Sequence, residues 1–521
     1  DYLVFKMEDT SESEVLLDKK CSVNCEIDHV DVIMKTEKKM DFTSNLALAI
    51  LACILGSSFQ FGYNTGVVNA PAKVIKSFYN ETCQNRTGAS MPDSTLTVLW
   101  AVTVSIFAVG GMLGGVTAGY WANRFGRRGA LLRNNLLTTV GALVMFSSKY
   151  AKSYEMLILG RFIIGLSAGI GTGVAPLYLS EIAPVSLRGM CGTFNQLAVC
   201  FGVLTSQVLG LDAVLGSPNL WQFDVGFSVI PVVFQLCTLS FCPESPRYLL
   251  ITKDLEDEAD KALQWLRKTV DVSDEIEEMI SEKEAQSRIK KFTVGDLLNS
   301  SSLRTPLTIS IVMQLSQQFS GINAVIYYST SIFESAGLSG ILAKDATVIT
   351  GGVNVIMTFV SALIMDRAGR RSLHLIGLGG MFISGYVLVV GLIFQNNISW
   401  LKYICIIAVI VYVIFFAAGP GSIPWFFVAE LFAQGPRSAA VSIAVLVNWF
   451  ANFIVGLVFP ILQNTIGQYS FIPFVAMLAM FWLYTLLKVP ETKGMTIEEI
   501  TASFKNTSAT YQPISADKSD G

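Results

Sequence analysis

Apolar residues in this chain gather into twelve runs separated by short polar stretches. Six lie near 44–68, 97–119, 129–148, 156–178, 190–211 and 223–241, and six near 305–333, 346–365, 372–394, 401–427, 438–461 and 470–488. Each is close to the roughly 20 residues that an α-helix needs to cross a bilayer. Between the two sets, from Pro243 to about 302, Glu, Asp, Lys and Arg are abundant, with helical stretches near 254–269 and 274–291. The pattern predicts an all-α membrane protein with twelve transmembrane helices in two six-helix halves, joined by a helical linker. Residues before 44 are polar, mixed in charge and without the apolar core of a signal peptide.

The seventh run breaks the apolar rule. It carries Gln314, Gln317, Gln318 and Asn323, and each amide is costly to bury in a membrane unpaired. At about 100° per residue, Gln314, Gln317, Gln318 and Gly321 share one stripe, with Asn323 nearly opposite Gln314. Either Asn323 serves another face, or the helix breaks near Ser320 and Gly321 and turns it back inward. The break is the expectation, because glycine weakens a helix and broken helices mark transporter binding sites. The plainer alternative is that these amides only bond neighbouring helices.

Composition agrees with a membrane protein: 521 residues, 52% hydrophobic and only 15% charged. A net charge of −3 gives no sign of a nucleic-acid partner. The nine cysteines are scattered, so no disulfide framework follows. Cys21, Cys25 and His29 have a spacing that can suggest metal, but they sit beside a charged tail, and no metal or cofactor is expected. Neither His29 nor His374 neighbours a plausible nucleophile, so an enzyme is not expected.

Basic residues fix the orientation. Arg124, Arg127, Arg128, Arg133, Arg188, the linker, Arg367, Arg370, Arg371 and Arg437 fall on one side, which predicts cytoplasmic termini and a cytoplasmic linker. The longest outer loop, about 69–96, then carries two glycosylation acceptors, Asn80 and Asn85. The sequon at Asn299 falls on the inner side.

The two sets of runs repeat. Residues 123–128 recur as 366–371, Glu181 seven residues before Arg188 recurs as Glu430 before Arg437, and Pro243-Glu244-Ser245 recurs as Pro490-Glu491-Thr492. The offsets are 243, 249 and 247 residues, in one order. The division predicted is a tail (1–43), a first half (44–242), the linker (243–304), a second half (305–489) and a second tail (490–521). Parallel repeats of this kind place a substrate site at the midplane between the halves.

Several motifs carry a resemblance to a known family. They are Gln60 to Gly66, Gly160 to Gly165, Pro243 to Arg247, Gln314 to Asn323, Gly419 to Trp425 and Pro490 to Gly494. Over about 44–500 the chain resembles the sugar porters of the major facilitator superfamily, and most closely the animal facilitative glucose transporters. A sugar is a ring of hydroxyls with apolar faces, so amides suit its edges and indole rings its faces. Gln196, Cys200, Val203 and Gln207 form one stripe on span five, and Asn448 and Asn452 lie four apart on span eleven beside Trp449. The resemblance assigns sugar contacts to Gln196, Gln317, Gln318, Asn323, Asn354, Trp425 and Asn448. Two positions depart from the family: Ile326 replaces a frequent Phe, and Ala417-Ala418 replaces the acidic residue before Gly419.

Glu181, Arg188, Glu430 and Arg437 lie at the inner membrane edge. They serve topology and solubility alone, or they form a latch whose salt bridges hold the inner mouth shut. The resemblance favours the latch and adds Glu244, Arg247, Asp366 and Arg370. It also makes Arg161 part of an outer gate near Asn69. The implied function is uniport of D-glucose and similar hexoses across the plasma membrane by alternating access. A proton–sugar symporter and a sugar sensor are the alternatives. Against the symporter, Asp, Glu and His fall at span ends or in loops, Asp224 and His374 included.

Overall fold

The computed structural model describes residues 42–493 apart from 289–291, 396 and 399, together with 495 and 499. The side chains of Asp366 and Arg367 are outside it, as are Cys21, Cys25, His29 and nearly all of both expected tails. The described residues form helices throughout. Span one is Ser44–Gly56 and Ser58–Gly66, and spans two to five are Asp93–Phe125, Arg127–Ser147, Tyr154–Ile182 and Arg188–Leu209. Span six is Trp221–Gly226 and Val229–Leu239. The second half runs through span seven (Arg304–Phe319 and Ile322–Ser335), span eight (Gly340–Ala368) and span nine (Arg370–Phe394). Span ten (Leu401–Ala418 and Ile423–Leu431), span eleven (Gln434–Ile466) and span twelve (Ile472–Lys488) complete it.

Among the described residues, nine of these stretches have the length and apolarity of a membrane span, and span twelve is a shorter apolar helix. Spans five and seven are the exceptions. Both are diluted by the amides and hydroxyls that they turn to the middle of the molecule, so their low hydropathy is a mark of what they line.

The breaks fall where backbone chemistry puts them. In span seven Gly321 takes φ +88°, a left-handed conformation that glycine adopts without a Cβ penalty. Asn323 is thereby carried back toward Gln318. Span ten unwinds over Gly419 to Ser422, where Pro420 has no N–H to continue the helix. The two breaks brace each other. Tyr412 OH donates to Ser320 O at the first break. Gln317 Nε2 donates to Pro420 O and Gly421 O at the second, at 2.9 and 2.8 Å.

Glycines set how closely helices approach, which matters in a bilayer because lipid gives no hydrophobic drive between spans. A Cβ on Gly110 or Gly114 would lie 2.2 or 2.1 Å from a backbone oxygen of span four, and one on Gly165 would lie 2.1 Å from Phe107 O. Gly111 and Gly115 face the second half, where a Cβ would meet Trp449 at 2.4 Å and Val445 at 2.9 Å. Gly119, next in that series, has nothing within 4 Å. Spans two and eleven therefore touch at Gly111 and Gly115 and have parted by Gly119, on the linker side.

The linker is shared between the halves. Helices Glu256–Arg267 and Ser273–Arg288 sit on the first half, with Arg267 Nη1 donating to Ile182 O at 2.9 Å and Asn45 Nδ2 to Trp265 O at 2.8 Å. Helix Val294–Asn299 instead places Leu297 in an apolar cluster of the second half with Leu307 and Leu431.

Candidate substrate site between the two halves

A cavity with about 740 Å³ of unfilled space, part of it open to solvent, lies between the halves. Gln196, Gln317, Gln318, Asn323, Asn354, Trp425 and Asn448 all line it. They come from spans five, seven, eight, ten and eleven, and the fold alone brings them together.

The amides are held in a directed network. Asn448 Nδ2 donates to Gln314 Oε1 and Gln317 Oε1, both at 2.7 Å. Gln318 Nε2 donates to Asn448 Oδ1 at 3.0 Å, and Asn323 Nδ2 donates to Gln318 Oε1. Gln314 Nε2 closes the network on Pro424 O at 3.1 Å. Gln314 does not line the cavity, so this amide of the sequence stripe is a brace. Gln196 and Asn354 are engaged more weakly, through long contacts of 3.9 and 3.6 Å to Cys200 Sγ. Their amides remain available to a hydroxylated ligand.

Trp425 and Trp449 supply indole faces on the same cavity. Trp449 packs edge-on against Phe61 and Phe107, and its Nε1 is buried without a partner. That nitrogen lies toward Gly115 of span two, where a Cβ would stand 3.7 Å from it. Sequence reasoning noted Trp449 only as a neighbour of Asn448 and Phe61 only as part of a family motif, and gave no signal for Thr172 or Phe416, which also line the cavity. Gln207, on the span-five stripe, does not line it. Its Oε1 occupies the space where a Cβ on Gly351 would stand.

On the face opposite the linker, Asn69 joins the halves. Its Nδ2 donates to Ile326 O and Ser329 Oγ, both at 2.7 Å, and its Oδ1 accepts from Thr330 N at 3.3 Å. Arg161 is fully buried in the first half and makes no direct bond to Asn69. Its Nη1 donates to Asn64 O at 2.6 Å and its guanidinium lies 4.6 Å from the Phe107 ring centroid. No carboxylate pairs with it among the described residues. Two ion pairs cross between halves on this face, Lys73 with Glu334 at 2.7 Å and Lys344 with Asp212 at 2.6 Å.

At the linker face the charged repeats form two matching clusters. In the first half Arg127 clamps Glu181 through two bonds of 2.7 Å, Glu244 accepts from the backbone N–H of Arg127 and Arg128, and Ser245 donates to Glu181. In the second, Arg370 bonds Glu430 at 3.2 Å, Glu491 accepts from the N–H of Arg370 and Arg371, and Thr492 donates to Glu430 at 2.5 Å. Each carboxylate at a helix start satisfies orphan N–H groups and faces the positive end of the helix dipole. Arg247 pairs with Glu282 of the linker at 2.5 Å, Arg437 donates to Phe432 O at 3.1 Å, and the Arg188 Nε is buried without a partner among the described residues. Among the described residues these pairs stay within one half or join it to the linker. The side chain of Asp366 lies outside the described residues.

The structure adds detail at three of the sequence features. The outer loop carrying the sequons is a helix, Ala72–Thr87. Asn85 is exposed on it, whereas Asn80 is half-buried and its Oδ1 accepts from Met91 N at 2.8 Å. Asp224 and His374 are near span ends in sequence yet fully buried. Asp224 accepts from Tyr63 OH at 2.7 Å, and His374 Nε2 shares a hydrogen bond of 3.1 Å with Ser316 Oγ. Neither lines the cavity.

Comparison with known proteins gives the same picture. Residues 48–504 match the family model described as sugar (and other) transporter. The facilitated glucose transporter member 3 of Homo sapiens is 50% identical over 463 residues, covering 89% of this chain and 93% of that one. Member 1 of Gallus gallus is 47% identical over 485 residues, covering 93% and 98%. Among solved structures, a partially occluded inward-open form of the E. coli xylose transporter XylE superposes with a TM-score of 0.73 at 25% identity, over 87% of this chain and all of that one. The proton:xylose symporter XylE bound to 6-bromo-6-deoxy-D-glucose gives 0.71 at 26% identity, over 89% of this chain. Parallel halves, an amide-lined cavity between them and close relatives along nearly the whole length lead to one assignment: the chain belongs to the sugar transporter family of the major facilitator superfamily and, within it, to the facilitated glucose transporters of solute carrier family 2.

Proposed function

We propose that this protein carries D-glucose and related hexoses down their gradient across the plasma membrane, as a uniporter working by alternating access. The observation that carries the reading is the cavity itself. Amides from four spans converge on it with two indole rings, and no carboxylate or histidine is among its lining residues. Neutral donors and acceptors match sugar hydroxyls without a proton being taken up. The close relatives named above are glucose transporters, which supports the same substrate. The seven residues Gln196, Gln317, Gln318, Asn323, Asn354, Trp425 and Asn448 are proposed to hold the sugar. Asn69 and Arg161 belong to the outer gate, and Glu181, Arg188, Glu244, Arg247, Asp366, Arg370, Glu430 and Arg437 to the inner one.

The orientation proposed puts the linker and both termini in the cytoplasm, by the excess of arginine on that face. Glycosylation is then proposed at the exposed Asn85 in preference to Asn80. The divisions at 43, 242, 304 and 489 follow from the same reading. Flux into liposomes containing only this protein tests it. Glucose should enter until inside and outside are equal, faster than fructose. A one-unit pH gradient would drive a one-proton symporter to about tenfold accumulation. Sustained accumulation that collapses with a protonophore would assign the chain to the symporters. Asn323→Ala and Gln318→Ala should each weaken glucose binding by roughly 1–3 kcal/mol, about five- to a hundredfold.

A further inference from the structure

We propose that the ion pair between Lys344 and Asp212 is an outer strap that holds spans five and eight together and biases the carrier toward its outwardly closed state. Asp212 lies just beyond the outer end of span five, in a turn closed by Gly216 N donating to Leu211 O at 2.9 Å. Lys344 lies in the second turn of span eight, 132 residues away and in the other half. Its side chain is only 11% exposed, while that of Asp212 is 57% exposed. A largely covered lysine at a membrane edge needs a partner, and Asp212 at 2.6 Å is the one it has.

The pair is the outermost rung of a longer contact. Further in, Gln207 of span five fills the space beside Gly351 of span eight. Further still, Cys200 Sγ meets Thr358 Oγ1 at 3.3 Å and Asn354 Nδ2 at 3.6 Å at the cavity. Opening the outer mouth must part the pair and hydrate both charges. A contact made in one state and absent from the other shifts the equilibrium by its differential free energy, whatever ligand is present. Lys344 thus acts on sugar access through the helix pair and never touches the cavity.

The inference rests on the alternating-access reading, which sugar flux tests separately. Its own test needs no sugar. Cys200 lines the cavity, so a membrane-impermeant maleimide added outside intact cells reports outer opening, in a Cys83→Ser background to silence the outer-face thiol. Lys344→Met keeps the apolar stem and removes the charge, and Asp212→Asn does the same for its partner. Each should raise the labelling rate of Cys200 about three- to tenfold. The double swap Lys344→Asp with Asp212→Lys should restore the original rate at equal surface expression. Unchanged labelling in both single variants would overturn the strap. Faster labelling that the swap does not restore would also overturn it, because packing and not the ion pair would then be responsible.

Discussion

On the outer face polar bonds run from one half to the other. Asn69 reaches Ile326 and Ser329, Lys73 reaches Glu334, Lys344 reaches Asp212, and Asn464 reaches Thr97. On the linker face the strongest pairs, Arg127 with Glu181 and Arg370 with Glu430, stay inside their halves. Spans two and eleven follow the same division, packed at Gly111 and Gly115 and apart at Gly119. The contrast describes the state: the outer face is joined by polar bonds across the halves, and the charged pairs of the linker face are not. It also separates two jobs for charge. In this state, bonds across the halves hold the outer face together, and the bonds named on the linker face hold each bundle.

The largest effect is expected where a within-half pair is most buried. Arg127 and Glu181 are 10% and 11% exposed, against 22% and 29% for Arg370 and Glu430. Arg127→Ala strands Glu181 and should cost about 3–5 kcal/mol of stability. Arg370→Ala should cost less, and thermal unfolding in detergent compares them. Equal losses would show that the two clusters are not the unequal pair their geometry describes.

Next come the glycines. Gly111→Val would push a side chain into Trp449 and should disfavour the present state by about 1–3 kcal/mol or more, seen as faster labelling of Cys200 from outside. Gly119→Val meets open space here and should leave that labelling no faster. It should instead slow glucose exchange, by obstructing closure on the linker face.

Asn69→Ala removes three bonds that join the halves and should shift the balance toward outer opening by about 1–3 kcal/mol. Binding of an impermeant exofacial sugar ligand would tighten accordingly. Lys73→Ala is the weakest case, because Lys73 is 74% exposed. Its effect should stay below about 1 kcal/mol and fade in high salt. A large, salt-insensitive effect would mean that this pair is a strap of the same rank as Asn69.

Some of this architecture was readable before any coordinates. Repeated Arg-Arg turns and Pro-Glu motifs betrayed the two halves, because each motif ends a helix or caps the next. Gly321 betrayed the break in span seven, because a left-handed residue is a local property of the chain. Six of the seven proposed sugar contacts are amides, which are costly in an apolar run, but it was the family resemblance that singled out the set and added Trp425. Gln314 and Gln207 looked the same in sequence and proved to be braces or wedges, since helical spacing gives a face and not the neighbour opposite it.

Hydropathy, spacing, repeats and local backbone chemistry by themselves determined twelve spans, their grouping and the break in span seven. The spans and the break in span seven depend on residues within a few turns of one another, whereas the grouping came from motifs repeated 243 to 249 residues apart and the sugar contacts from the family resemblance. Tertiary structure alone decided that Asp224 and His374 are buried, that Trp449 packs on Phe61 and Phe107 at the cavity, and that Asn80 is engaged while Asn85 is exposed. It also decided which face is strapped shut. A carrier's two states share one sequence and one set of helices. They differ in which distant residues touch, and those contacts join residues more than a hundred positions apart.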